Sequence, residues 1–436
     1  MKKISKRESK ALLGSLAAGV VPRIGLRHIA VGRQQEITAF LNDIAAIEDG
    51  GASFRLVSGN YGSGKSFLLQ MIRHNAMERN FVVADADLSI DRRLTGNKGQ
   101  GLATYRELLQ NLSTAKRPDG GALESILQKW INDLQRKTAQ ETGLGQTDLT
   151  DAVSARISET MAEIAEMAYG YAFSHTIEMY WRAVKTQNDE LKQSALRWLR
   201  AEFATKTDAK KAIGADSIID DNHWYEFLKL FAMFTVKAGY KGLLLFLDEG
   251  VNLYKITPAQ SRLKNYEKLL TIFNDTMQGK AEHIGFFLSG TPQFIFDEKR
   301  GLFNYEALRS RLADSRYIKD GFIDYTSPVI RLNQLSNEEL FLLLENLCTV
   351  HSTHHGYETT LKAQDLQAFL QTILGRLGAD KLLTPREITR DFLALLNILM
   401  QDPTANFREI ISGSDFKVAS AKFDPEQEDI HEDFEI

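Results

Sequence analysis

Residues Gly59-Asn60-Tyr61-Gly62-Ser63-Gly64-Lys65-Ser66 constrain this chain more than any other stretch. They follow a short apolar run, residues 54–57, and lead into Phe67, Leu68, Leu69, Met71 and Ile72 at helical spacing, so the segment reads as a turn between a strand and a helix. In that context the pattern is a phosphate loop. Its glycines let the backbone turn tightly and aim successive N–H groups inward, and the helix that follows adds the positive end of its dipole. The expected cofactors are ATP and Mg²⁺. Gly59 to Phe67 surround the phosphates, Lys65 reaches the β- and γ-phosphates, and Ser66 is a magnesium ligand.

The second landmark is residues 242–249, an apolar run ending in Asp248 and Glu249. Such a run is what a strand buried on both faces of a parallel sheet requires. Two carboxylates at its end match a Walker B element, with Asp248 holding Mg²⁺ and Glu249 polarising the attacking water. Residues 81–86 read as another strand, and Asp85 and Asp87 at its end are taken as structural. Residues 284–288 and 329–332 complete a five-stranded sheet. Thr291, or failing it Ser289, follows the fourth strand where a small polar side chain meets the γ-phosphate or water.

Composition permits a sizeable core: 436 residues, 43% of them hydrophobic. The single cysteine, Cys348, rules out an internal disulfide framework and suits a reducing compartment. Net charge is −4, so contact with DNA has to be local. The basic residues Lys2, Lys3, Lys6, Arg7 and Lys10 before the apolar residues 11–21 imitate a signal peptide, but Glu8, Gly14 and Gly19 interrupt both parts. An amphipathic helix is expected there, in a cytoplasmic protein without a membrane span.

Between the landmarks, residues 118–221 carry a helical pattern in which acidic residues outnumber basic ones. Val153, Ile157, Met161 and Ile164 trace one helix face, and Leu191, Ala195, Trp198 and Leu199 another. Tyr169, Tyr171, Phe173, Tyr180 and Trp181 are expected in its core rather than as platforms for bases. Past the sheet, Ser336 with Glu339 and Thr384 with Glu387 have the spacing of capping boxes. Pro385 suits a first helical position, so Arg386 falls in a first turn, where the helix dipole disfavours a cation. Cys348, His351, His354 and His355 invite a zinc reading, but they crowd one helix end without the usual flanking turns. The tail 424–436 is acidic, lacks Lys and Arg, and is expected to be disordered.

The order of these motifs resembles AAA+ ATPases of the origin-initiator type. The resemblance implies an α/β fold: an AAA+ P-loop core with a five-stranded parallel sheet, a long helical insertion and a C-terminal helical lid. The expected boundaries are 1–117 and 222–332 for the core, 118–221 for the insertion, 333–423 for the lid and 424–436 for the tail. By the same resemblance Val31 and Gly32 contact adenine, Thr291 or Ser289 is sensor 1, and Arg386 is sensor 2. Arg311, or else Arg309, resembles the arginine finger offered to a neighbouring subunit, though a surface ion pair is the alternative for either.

The opening segment, Gly19 to Arg23 and Val31 to Gln34, together with the long insertion, is similar to the ATP-binding proteins of BREX bacteriophage-defence systems, in particular the smaller BrxD type. That resemblance implies a homo-oligomeric ATPase acting with DNA or with an Lhr-like superfamily 2 DNA helicase. Its alternative is a nucleotide-gated assembly module with little turnover, which regulates the helicase.

Overall fold

A computed structural model describes residues 4–143, 146–314, 323–376, 384–402 and 404–412. The acidic tail and the end of the expected lid lie outside the described residues. Five strands, β1 (Ala52–Ser58), β2 (Val82–Asp87), β3 (Leu243–Asp248), β4 (Ile284–Gly290) and β5 (Val329–Arg331), form one sheet in the order β2-β3-β4-β1-β5. β3 runs parallel to both β2 and β4, and its register sets Asp87 opposite Asp248. The amide of Leu56 donates to the Pro328 carbonyl and that of Leu332 to the Ser58 carbonyl, the slanted ladder of parallel strands. All of β4 is buried, and so is β3 up to Leu247, as the apolar runs require.

The described chain divides into two compact units. The first comprises residues up to Thr38, Val57–Ile72 and the described residues from Ile330 onward. Its core joins Leu12 and Leu13 to Leu344, Leu347, Phe369, Ile388, Phe392 and Leu396. The helix Lys6–Ala17, closed by a capping box between Ser5 and Glu8, presents its leucines to this core while Lys6, Arg7 and Lys10 stay exposed. The segment is thus an amphipathic helix, leucines inward and basic residues outward. Both later capping boxes form as well, on the helices Asn337–His355 and Pro385–Gln401. No helix among the described residues is long and apolar enough to cross a membrane.

The second unit holds Ala39–Leu56 and Arg73–Val329. Here five helices, Leu123–Thr142, Gln146–Ala165, Gly170–Lys185, Asp189–Leu199 and Lys206–Ile213, follow one another, and the helix Trp224–Lys237 leads back to β3. Aromatic rings build their core. Trp130 meets Phe234 edge-on at 5.1 Å between centroids, and Trp198 meets Phe227 at 5.6 Å, geometries that add about 1 kcal/mol each to the area buried. Phe173, Tyr180 and Trp181 lie in this core as expected. Tyr171 does not: it is 75% exposed and stacks on His175. Tyr169 is also partly exposed, at 41%: it caps the helix Gly170–Lys185 from a left-handed conformation, φ 63°, with its ring against His223 and Phe227.

Candidate nucleotide site

In the first unit, β1 ends at the phosphate loop and the helix Lys65–Glu78 begins directly after it. Gly62 and Gly64 take φ of 73° and 94°, the left-handed turn that a side chain would strain. Gly62 has a second constraint, since a Cβ there would lie 2.4 Å from Cβ of Thr384. The Lys65 ammonium donates to the carbonyls of Gly59 at 2.8 Å and Asn60 at 2.9 Å, and it lies 5.6 Å from the centre of the exposed Tyr61 ring. Ser63 Oγ is buried with no hydrogen-bond partner among the described residues. An ammonium held at the loop mouth and an orphaned hydroxyl beneath it are polar groups that a phosphate's oxygens suit. Ser66 and Phe67 are half-buried in the first helical turn, and Phe67 and Val31 both pack at the margin of the unit's core.

The Gly32-Arg33 segment is fastened to this loop. Arg33 donates to the Ser63 carbonyl at 3.2 Å and the Asn333 carbonyl at 2.6 Å, and it pairs with Glu36 at 3.4 Å. Both residues are left-handed, Gly32 at 60° and Arg33 at 61°, and a Cβ on Gly32 would lie 2.3 Å from Glu339 Oε1. Arg33 carries no role in the sequence motifs. Its position directly after Gly32 was the only available signal, because its partners are remote in the chain. Arg386 sits in the first turn of the helix Pro385–Gln401, exposed and unpaired among the described residues, after the Thr384 hydroxyl that accepts the Glu387 amide.

The carboxylates belong to the second unit. Asp248 ends β3, accepts a hydrogen bond from the Ser289 hydroxyl on β4, and accepts the amide of Glu249 at 2.8 Å. Glu249 is exposed and left-handed, φ 58°, an unusual conformation for a residue with a side chain. Desolvation, then the neighbouring charges of Asp248 and Asp85, hold the Asp87 carboxyl above its usual range. Asp85 is tied to the buried Arg73 at 2.8 Å. Thr291 is buried, and its hydroxyl accepts the Phe294 amide as N-cap of the helix Pro292–Phe296. Arg309 and Arg311 lie on the helix Glu306–Leu312. Arg309 faces Glu298 at 3.8 Å, while Arg311 is exposed and donates to Asn274 Oδ1 at 3.0 Å.

The histidine cluster is engaged otherwise. His351 bonds Tyr357 Oη at 2.8 Å and Asn397 Oδ1 at 3.0 Å, and burial pushes the Cys348 thiol up to about 12. No group of three or more His, Cys, Asp or Glu among the described residues is placed to hold a metal ion.

Comparison with curated proteins finds no match. The family described as BREX system ATP-binding protein BrxC/D matches residues 4–415. That match covers nearly all of the chain's length, so the chain belongs to the BREX system ATP-binding protein family BrxC/D.

Proposed function

We propose that this BREX ATP-binding protein hydrolyses ATP as an AAA+ oligomer, and that turnover remodels or loads a DNA or helicase complex. Bound Mg²⁺ would neutralise phosphate charge, with Ser66 and Asp248 as the ligands that the sequence motifs imply. Lys65 leaves the loop carbonyls for the phosphates, and Val31 and Gly32 line the base. Glu249 orients and deprotonates water, Ser289 holds Asp248 in position, Arg386 reaches the phosphates, and Arg311 completes a neighbour's site.

The observation that carries hydrolysis, rather than binding alone, is the left-handed Glu249 immediately after Asp248. Such strain persists only where its surroundings hold it, and it concentrates at working sites. A second reading, a nucleotide-gated assembly module, draws on Arg33 and Thr384. Both touch or abut the phosphate loop, so occupancy of the loop is communicated to the helices that follow β5.

The deciding experiment is ATP turnover by the purified protein, alone and with single-stranded or duplex DNA, with Glu249→Gln as the blank and Lys65→Ala as the binding control. Turnover that Glu249→Gln abolishes while ATP stays bound supports the enzyme. Binding without turnover in the unmodified protein, even with DNA and a helicase present, supports the gated module. Unchanged ATP affinity in Lys65→Ala overturns the site.

A further inference from the structure

Within the second unit, an open groove of about 850 Å³ runs between residues 93–100 and the helix Ala259–Met277. Arg93, Lys98, Lys264 and Lys268 line it, against Asp221 and Glu267. Asp221 is already committed, because its two oxygens accept the amides of Gly96 at 2.9 Å and Leu102 at 2.8 Å. That carboxylate holds the loop rather than facing the groove as a free charge. Asn265 holds the loop too, accepting the Leu94 and Thr95 amides at 2.9 and 3.1 Å. The Lys268 ammonium donates to the Asn222 carbonyl at 3.1 Å and covers the rings of Trp224 and Tyr225. Lys98 and Lys264 are exposed, with no carboxylate partner among the described residues.

The other wall residues include Asn97, Gln100, Ser261 and Thr271, and apolar side chains are nearly missing from the lining. Lys268 lies over the rings of Trp224 and Tyr225, so neither ring is offered to a base. Amide, hydroxyl and ammonium groups are what contact sugar and phosphate, whatever the base sequence. In a chain of net charge −4, a local basic groove is also the place where a polyanion can be held.

We propose that this groove binds the phosphodiester backbone of a nucleic acid, single-stranded or duplex, with Lys98 and Lys264 neutralising phosphates. The choice of nucleic acid as the ligand rests on the proposed action on a DNA or helicase complex. None of the residues that line the groove is one named for the nucleotide.

The test is fluorescence anisotropy with short labelled single-stranded and duplex DNA across a salt series. It compares the unmodified protein, a Lys98→Glu/Lys264→Glu variant and a charge-matched Lys206→Glu/Lys211→Glu control on an exposed helix outside the groove. Affinity should fall about tenfold or more in the groove variant and stay nearly unchanged in the control. The slope of log affinity against log salt should drop by about 1 for each lysine lost. The strand form that shows this drop identifies the ligand. Equal losses in the two variants, or no DNA binding by the unmodified protein, would overturn the proposal. ATP affinity measured on the same samples separates the readings: if DNA binding is lost in the groove variant while no sample binds ATP, the groove stands and the nucleotide reading falls.

Discussion

The hydroxyl of Ser289 donates to the carboxylate of Asp248 on the adjacent strand. Ser289 is fully buried, and Asp248 also accepts the amide of Glu249, so one carboxylate joins two strand ends and the residue proposed to activate water.

Ser289→Ala removes a donor to a charged acceptor, an interaction worth about 2 kcal/mol. Turnover should fall about tenfold or more, with ATP affinity little changed. Thr291→Ala should instead cost about 1 kcal/mol of stability by uncapping the helix Pro292–Phe296, with turnover preserved. Steady-state kinetics and thermal melts on both variants check this. The opposite pattern would return the sensor role to Thr291.

Glu249→Gly and Glu249→Ala should both be inactive but differ in stability. The left-handed backbone strains alanine and not glycine, so the glycine variant should be the more stable by about 1 kcal/mol. Equal melting temperatures would show that the conformation carries no strain.

Gly62→Ala drives a Cβ into Thr384 and strains a φ of 73°. ATP affinity should weaken about tenfold or more, equivalent to about 1.4 kcal/mol. Adding Thr384→Gly should recover part of the loss, since glycine caps a helix nearly as well as threonine. Titration of a fluorescent nucleotide measures both steps, and no recovery in the double variant would place the damage in the backbone alone.

Arg311→Ala should retain ATP and lose turnover. Mixed with Lys65→Ala, it should regain activity, since each subunit supplies what its neighbour lacks. Mixed samples that stay inactive would argue against a finger acting between subunits.

Stability should fall with pH. Burial holds His351 below its ordinary range, and the same cause lowers His28 and His354. The folded state therefore keeps these rings neutral while the unfolded chain takes up protons near pH 6.5, so their stabilisation is full above that value and is lost as pH falls below it. Melting temperature should drop from pH 7.5 towards 5.5, and less steeply in His351→Gln. Parallel curves would exclude His351 as a source.

Much of the architecture was legible because each element announces itself locally. The apolar runs at residues 54–57, 82–86, 243–247 and 284–288 are strands, and the capping boxes at Ser336 and Thr384 start the helices they mark. Period, caps and glycines act within a few residues, where local sequence determines conformation. Tyr171 shows the limit. An aromatic residue in a helical stretch was expected inside, but the face it occupies depends on where the neighbouring helices pack.

The motifs were legible in the sequence alone, since the glycine-rich turn at residues 59–66 and the apolar run ending in Asp248 and Glu249 are each continuous in the chain. Only the tertiary structure decided that Ser289 rather than Thr291 touches Asp248, that Arg33 grips the loop at Ser63 and the segment at Asn333, and that lysines from two segments line one groove. Those contacts join residues far apart in sequence. Their partners are chosen by strand order and packing, which no local pattern specifies.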